Sequence, residues 1–130
     1  MRAVDLDTLC RKKRVQMLRL REVSDLTRQM AQAVDRQDET SVTLLLNMRE
    51  DPVRQLAALD RSVGESIQEL PEADAVRARE LMEGSPARTE EERGLCEQVE
   101  QYRRLLASVL DLDRRVSLRM GGGQSFYHDR

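Results

Sequence analysis

The side chains that most often carry out catalysis are few and scattered in this sequence. The one histidine is His128, and the two cysteines, Cys10 and Cys96, are far apart along the chain. A Ser-His or Cys-His mechanism needs a nucleophile and a base within hydrogen-bond reach, and two thiolates alone do not complete a zinc site. Because the glycine run 121–123 follows a helical pattern, it is not a phosphate-binding loop. The residue types therefore predict a protein that is not an enzyme and has no catalytic residues, metal or cofactor.

A run of four cations, Arg11-Lys12-Lys13-Arg14, is the feature that points most toward nucleic acid. No aromatic side chain that stacks on bases accompanies it, and the formal net charge of the whole chain is −2. A solvated helix face is the favoured interpretation. No nucleic-acid partner is therefore predicted.

The composition is typical of long helices in coiled-coil-like contact. Charged residues make up 35% of the 130 residues and aromatic residues only 2%. Leu, Val, Met and Ala supply most of the apolar side chains, whereas a β or mixed domain usually needs more large rings. A chain of this length fits one domain. The fold class predicted is all-α.

No apolar run approaches the roughly 20 residues that span a bilayer, so no membrane insertion is predicted. The cationic run at residues 11–14 also interrupts any apolar signal core at the N-terminus. Two cysteines are too few for a disulfide scaffold and fit reduced thiols. The expected location is the cytoplasm.

Apolar residues at steps of three and four predict three long helices. The first begins after Asp5 or Asp7 and runs to about Arg36, and the second is capped by Thr40 or Ser41. The second keeps its apolar period from Val42 to Leu70, so we expect Pro52 to kink this helix without ending it. The alternative is a second helix start, with Asp51 as the cap and Pro52 at the first helical position.

A short helix and a third long one follow Pro71. The short helix is expected from Glu72 to Glu83, and the last long helix from Glu90 to Met120. Thr89 and Glu92 have the spacing of a capping box, in which Thr89 caps the helix and Glu92 reaches back. Short connections favour antiparallel neighbours. Residues 1–120 are therefore expected to form one elongated antiparallel three-helix bundle with a short accessory helix, and residues 121–130 a flexible Gly-rich tail.

The last long helix has more apolar surface than one bundle seam requires. Leu105 and Leu106, and again Val109 and Leu110, are adjacent apolar pairs that broaden its stripe. Surplus apolar surface on a helix usually meets another surface. This surplus apolar surface is expected to be covered by a partner, by the short helix or by a second copy of the chain.

Two helical segments of the sequence have a family resemblance. The second helix contains Leu45-Leu46-Asn47-Met48-Arg49-Glu50, with Leu56 and Leu59-Asp60 after it. The last helix contains Tyr102-Arg103-Arg104-Leu105-Leu106, followed by Val109-Leu110-Asp111-Leu112-Asp113-Arg114-Arg115. With these segments the sequence resembles the bacterial flagellar export chaperones of the FlgN and FliT type. The last helix resembles the C-terminal segment of those chaperones, although it lacks the asparagines expected of the FlgN type.

The resemblance implies a cytoplasmic binding protein that keeps a secreted flagellar subunit soluble and delivers it to the export machinery. The client would be of the hook-filament junction or cap type, and the client contact would lie on the C-terminal helix. By position, the implied partner-binding residues are Leu105, Leu106, Val109, Leu112, Val116 and Met120. Val116 and Met120 lie near the glycine run 121–123, which is expected to end the last helix. We therefore expect these two residues to contribute little to the core. The alternative is a structural or scaffolding bundle that homodimerises through the same face.

Overall fold

The computed structural model describes residues 1–120, which form four α-helices and are 87% helical with no strand. Helix α1 spans Ala3–Asp35, α2 Glu39–Gln68, α3 Glu72–Met82 and α4 Glu90–Arg119. The all-α class predicted from composition is confirmed. The expected flexible tail lies outside the described residues.

The helix starts differ from the predictions in two places. Helix α1 begins after Arg2, whose side chain makes no capping bond, and not after Asp5 or Asp7. Helix α2 is capped by Asp38, whose carboxylate accepts from the Ser41 amide at 3.1 Å and from the Ser41 hydroxyl. The expectation that Ser41 or Thr40 caps this helix is therefore wrong. Asp38 competes successfully because its carboxylate also carries the charge that a helix N-terminus favours.

The start of α4 follows the capping-box pattern with one change. The hydroxyl of Thr89 accepts from the Glu92 amide at 3.2 Å, as predicted. The carboxylate of Glu92 reaches back to the Arg88 amide at 2.8 Å, one residue before the cap. Both ends of the motif still satisfy amides that would otherwise lack a partner.

Helix α2 continues through Pro52, which lies inside it. The prediction that the chain does not reverse at Pro52 is confirmed. The reversal between α3 and α4 instead begins at Gly84, where φ is +100°. Only glycine adopts this angle readily.

The long helices run up, down and up around a core in three levels. One level joins the start of α1 to the end of α2 and the start of α4, through Leu9, Ile67 and Leu95. The opposite level joins Met30, Val42 and Val116. Cys10 and Cys96 both pack against the first level, as the parallel course of α1 and α4 predicts.

The short helix α3 lies between α2 and α4 at one end of the molecule. Both α2 and α4 come within 8 Å of it in Cα positions, whereas no Cα of α1 does so. Helix α1 in turn contacts α2 and α4 along its length, and no Cα of α2 lies within 8 Å of one of α4. At this end the four helices therefore occupy the corners of a square, with α1 opposite α3 and α2 opposite α4.

Candidate functional site

The end of the molecule that contains α3, called here the α3 end, is closed by apolar packing. Helix α3 buries Ala75, Ala78 and Leu81 at three-residue steps, and Ala78 and Leu81 have no exposed surface. Small side chains at the first two positions let α3 approach its neighbours closely. At this end α3 therefore fills the fourth corner of the square.

An ion pair holds α3 against α4 at the edge of this apolar core. The guanidinium of Arg77 donates to both carboxylate oxygens of Glu92, at 3.0 and 2.7 Å. It also donates to the Pro86 carbonyl at 2.9 Å. The bond to Arg77 is the main reason that the pKa of Glu92 falls to about 2. This bidentate geometry is the strong form of a charged hydrogen bond.

The opposite end, called here the open end, has no fourth helix among the described residues. A buried ion pair crosses the space instead. The guanidinium of Arg49 on α2 donates to Asp113 on α4 at 2.7 Å and to the Thr27 hydroxyl on α1 at 3.1 Å. Arg49 and Asp113 are 3% and 1% exposed. A side chain as long as arginine is needed here, because the two backbones are far apart.

The separation of α2 and α4 leaves a cleft along the open end. With no Cα pair within 8 Å and a Cα radius of about 2.3 Å, the two axes are more than about 11 Å apart. Packed helices usually lie about 8–10 Å apart. The floor of this cleft is the Arg49–Asp113 pair, and α1 lies beneath it.

Half-buried aliphatic side chains line both walls of the cleft. On α4 the wall is the stripe that contains Asp113, because residues spaced three or four apart share a helix face. On α2 it is the stripe that contains Arg49. Val53 and Leu106 pack from the two sides against one core cluster. These half-buried residues are Leu46 and Val53 on α2, and Leu106 and Leu110 on α4. The buried Ser117 lies on the same side of α4.

The cleft widens where α4 ends. A cavity of about 710 Å³ lies between the α1–α2 turn and the last residues of α4. Its apolar lining comes from Val34, Val42, Leu46 and Met120, and its polar rim includes Asp38 and Arg119. This volume is in the range of ligand sites in proteins.

The six partner-binding residues predicted from the sequence do not share one surface. Val109 and Val116 are core residues, 2% and 3% exposed. The expectation that Val116 adds little to the core is wrong, because this side chain packs with Met30 and Val42 before the helix reaches its end. The other four residues, Leu105, Leu106, Leu112 and Met120, are half-buried against the core.

These four residues divide between two sides of α4. Leu105 turns toward α1, where it lines a small hollow with Met17, Arg21 and Ser24. Leu112, seven residues further along the same side, packs at the open end. Leu106 and Met120 belong to the cleft and to its terminal cavity. Leu46, Val53, Leu110 and Ser117 were not among the predicted site residues, although Leu46 and Val53 belong to the predicted stripe of α2.

Part of the cationic run at residues 11–14 makes contacts between the helices. The ammonium group of Lys12 donates to the Ser62 carbonyl at 3.1 Å and to the Ser66 hydroxyl at 2.5 Å. Lys13 is buried, and its Nζ lies 3.9 Å from the centre of the Tyr102 ring. Burial lowers the pKa of Lys13 to about 8. Two of the four cations therefore support the contact between helices.

The thiols and carboxylates form no recognisable reaction centre in residues 1–120. Burial raises the pKa of both Cys10 and Cys96, which makes their thiolates less available. No group of three His, Cys, Asp or Glu side chains in this part of the chain is placed to hold a metal ion. The same residues contain no helix whose apolar stretch is long enough to cross a membrane.

Residues 1–120 define an all-α helical bundle in which these residues leave one corner partly unfilled. Comparisons with protein-family models, curated proteins and solved structures find no match to this chain. The functional argument therefore depends on the cleft itself.

Proposed function

We propose that this protein is a non-enzymatic binding protein that takes an amphipathic helix of a partner into the cleft between α2 and α4. The observation that carries this proposal is the square arrangement at the α3 end, where α3 occupies the fourth corner. The same corner continues into the open end, where the walls are half-buried aliphatic side chains. A partner helix at that corner would bury these aliphatic side chains, as α3 buries residues of α2 and α4 at the α3 end.

The partner class follows from the resemblance to flagellar export chaperones. In this proposal three long helices form the binding scaffold, and α3 is an accessory helix that closes one end. The client is a secreted flagellar subunit of the hook-filament junction or cap type, held in the cytoplasm until it is delivered to the export machinery. Leu106 and Met120 are the residues of the sequence-based site that face the client, together with Leu46, Val53 and Leu110.

The test compares two neighbouring leucines that differ in the side they face. Leu106→Ser changes the cleft, whereas Leu105→Ser changes the α1 side of the same helix, and both residues pack against the same cluster. Calorimetric titration is carried out with the C-terminal helical segment of a junction-type or cap-type subunit. We expect Leu106→Ser to weaken binding at least about tenfold, or roughly 1.4 kcal/mol, and Leu105→Ser to weaken it much less.

Thermal melts of both variants control for loss of folding, since the two substitutions remove side chains of equal size. Equal weakening by both would contradict the assignment of the cleft. If the unmutated protein binds no such segment and light scattering gives a dimer, the homodimeric scaffold is the better account. A monomer that binds the segment supports the chaperone.

A further inference from the structure

Three charged residues of α4 share one side of the helix, namely Glu92, Arg103 and Arg114. They are spaced 11 residues apart, and 11 residues make slightly more than three full turns of an α-helix at about 3.6 residues per turn. This side of α4 therefore presents one charged group at each of three levels. The first level is at the α3 end and the third is at the open end.

The first two of these residues hold α3 in its corner. Glu92 forms the bidentate pair with Arg77, which stands beside the buried Ala78. One guanidinium nitrogen of Arg103 donates to the Glu83 carbonyl at 2.8 Å, at the C-terminal end of α3. The middle and the C-terminal end of the accessory helix are thus fixed by the same side of α4.

The third residue faces the part of the cleft that α3 does not reach. Arg114 is exposed and makes no hydrogen bond or ion pair with another of residues 1–120. Its neighbour Arg115 lies on a different side and pairs with Asp111 at 3.4 Å. Arg114 therefore has its charge available along the flank of the cleft.

A second polar group in the cleft also lacks a partner. The hydroxyl of Ser117 is buried and makes no hydrogen bond within the described residues. Ser117 follows Asp113 by one helical turn, so it lies on the cleft side of α4. A buried hydroxyl without a partner costs free energy that a bound polar side chain would recover.

We propose that the helix bound in the cleft carries a carboxylate beside its apolar stripe, and that this carboxylate pairs with Arg114. The inference rests on the proposed function, because it requires that the cleft binds a helix. In the pair at the α3 end, α3 supplies the cation Arg77 and α4 supplies the carboxylate Glu92. In the proposed pair, the bound helix supplies the carboxylate and α4 supplies the cation. A polar side chain of the same helix would meet Ser117.

The same charge argument disfavours α3 of a second copy as the occupant. That helix would bring Arg77 to the level of Arg114, where two guanidinium groups repel each other. A partner with an acidic residue at the corresponding position is favoured instead. The occupant is thus an amphipathic helix with small or aliphatic side chains at three-residue steps and an acidic flank.

Two stapled peptides provide the probe. One has the sequence of residues 72–83 and the other has the same sequence with Arg77→Glu, each with a fluorophore and a lactam bridge on its exposed face. The bridge is needed because so short a helix is marginal in water. Fluorescence anisotropy then measures the binding of each peptide to the full chain and to two charge variants.

We expect the Glu peptide to bind the unmutated protein about fivefold more tightly than the Arg peptide at low salt. Arg114→Glu should reverse this order, because it exchanges the sign of the flank. Arg115→Glu is the matched control and should leave the order unchanged. Binding of both peptides with equal affinity, unaffected by Arg114→Glu, would overturn the acidic-flank assignment and leave the cleft as a helix site. Failure of both peptides to bind would contradict the cleft as well.

Discussion

At the α3 end the space between α2 and α4 is filled by a helix, whereas at the open end it is crossed by the Arg49–Asp113 pair. The first solution buries Ala75, Ala78 and Leu81 in an apolar cluster. The second buries two charges and leaves aliphatic side chains half-exposed on both walls. Apolar packing is often as stabilising as a buried ion pair or more so. The comparison shows that apolar packing closes the α3 end, whereas the described residues at the open end leave aliphatic surface partly exposed.

The ion pair also keeps the open end from closing. Two apolar residues in place of Arg49 and Asp113 would allow α2 and α4 to approach to the usual packing distance of about 8–10 Å. A long charged pair holds them apart at a fixed distance. On this account the cleft results from the two charged side chains that form its floor, Arg49 and Asp113.

The largest effect is expected when one member of that pair is removed. Arg49→Met leaves the carboxylate of Asp113 buried without its cation, which should lower the free energy of unfolding by about 3–5 kcal/mol. Urea denaturation followed by circular dichroism measures the change. The double variant Arg49→Met with Asp113→Leu should recover much of the loss while narrowing the cleft, so that it is folded but binds the client poorly. A double variant as unstable as Arg49→Met alone would contradict the account of the floor.

A smaller effect is expected at the α3 end, where Arg77 holds the pKa of Glu92 near 2. A carboxylate whose pKa is lowered by folding stabilises the folded state above its unfolded pKa, and this contribution is lost as the pH falls. Glu92→Gln should therefore lower the free energy of unfolding by about 1–3 kcal/mol at neutral pH. The difference from the unmutated protein should shrink between about pH 4.5 and about pH 2. A difference that is constant across this range would contradict the role of the ion pair.

Hydrogen exchange shows which end is affected by Glu92→Gln. The amides of α3 should lose protection while those around Met30 and Val116 at the open end keep it. Arg93→Gln is a matched control on the next residue, because Arg93 pairs with the exposed Glu90 at 3.1 Å and with no other residue of the described range 1–120. Loss of protection at both ends would mean that the two ends do not respond independently.

The positions of the helices could be predicted from the sequence, because the apolar period depends on neighbours along the chain. The predicted bounds of α3 and α4 agree with the structure to within one residue. The residues that cap the helices were harder to predict. Asp38, Thr40 and Ser41 all have capping chemistry, and the pattern of residues does not decide among them. The start of α1 was missed because Arg2 makes no side-chain cap.

The cleft could not be predicted, because an apolar period does not fix the distance between two helices. Arg49 lies at a position within the apolar stripe of α2, but its partner Asp113 is 64 residues away in the sequence. Nothing in the local pattern joins them. The broad apolar stripe of α4 predicts surplus apolar surface on this helix, but it does not separate Leu105, on the α1 side, from Leu106 in the cleft. It also did not show that Val116 is in the core.

The smallest effect is expected at Pro52, a buried residue that lies one turn from Arg49 on α2, the helix that forms one wall of the cleft. Because α2 continues through this residue, Pro52→Ala restores an amide that can donate to the Met48 carbonyl. The gain from that hydrogen bond opposes the entropy that proline removes from the unfolded chain, about 0.4–1 kcal/mol. We expect the free energy of unfolding to be unchanged or to rise by up to about 1 kcal/mol. Urea denaturation of Pro52→Ala and of Pro52→Gly, which should be about 1 kcal/mol less stable than the alanine variant, measures this balance. A loss above about 1 kcal/mol for Pro52→Ala would mean that proline is required for the shape of this wall, and that the open end depends on the backbone of α2 as well as on its ion pair.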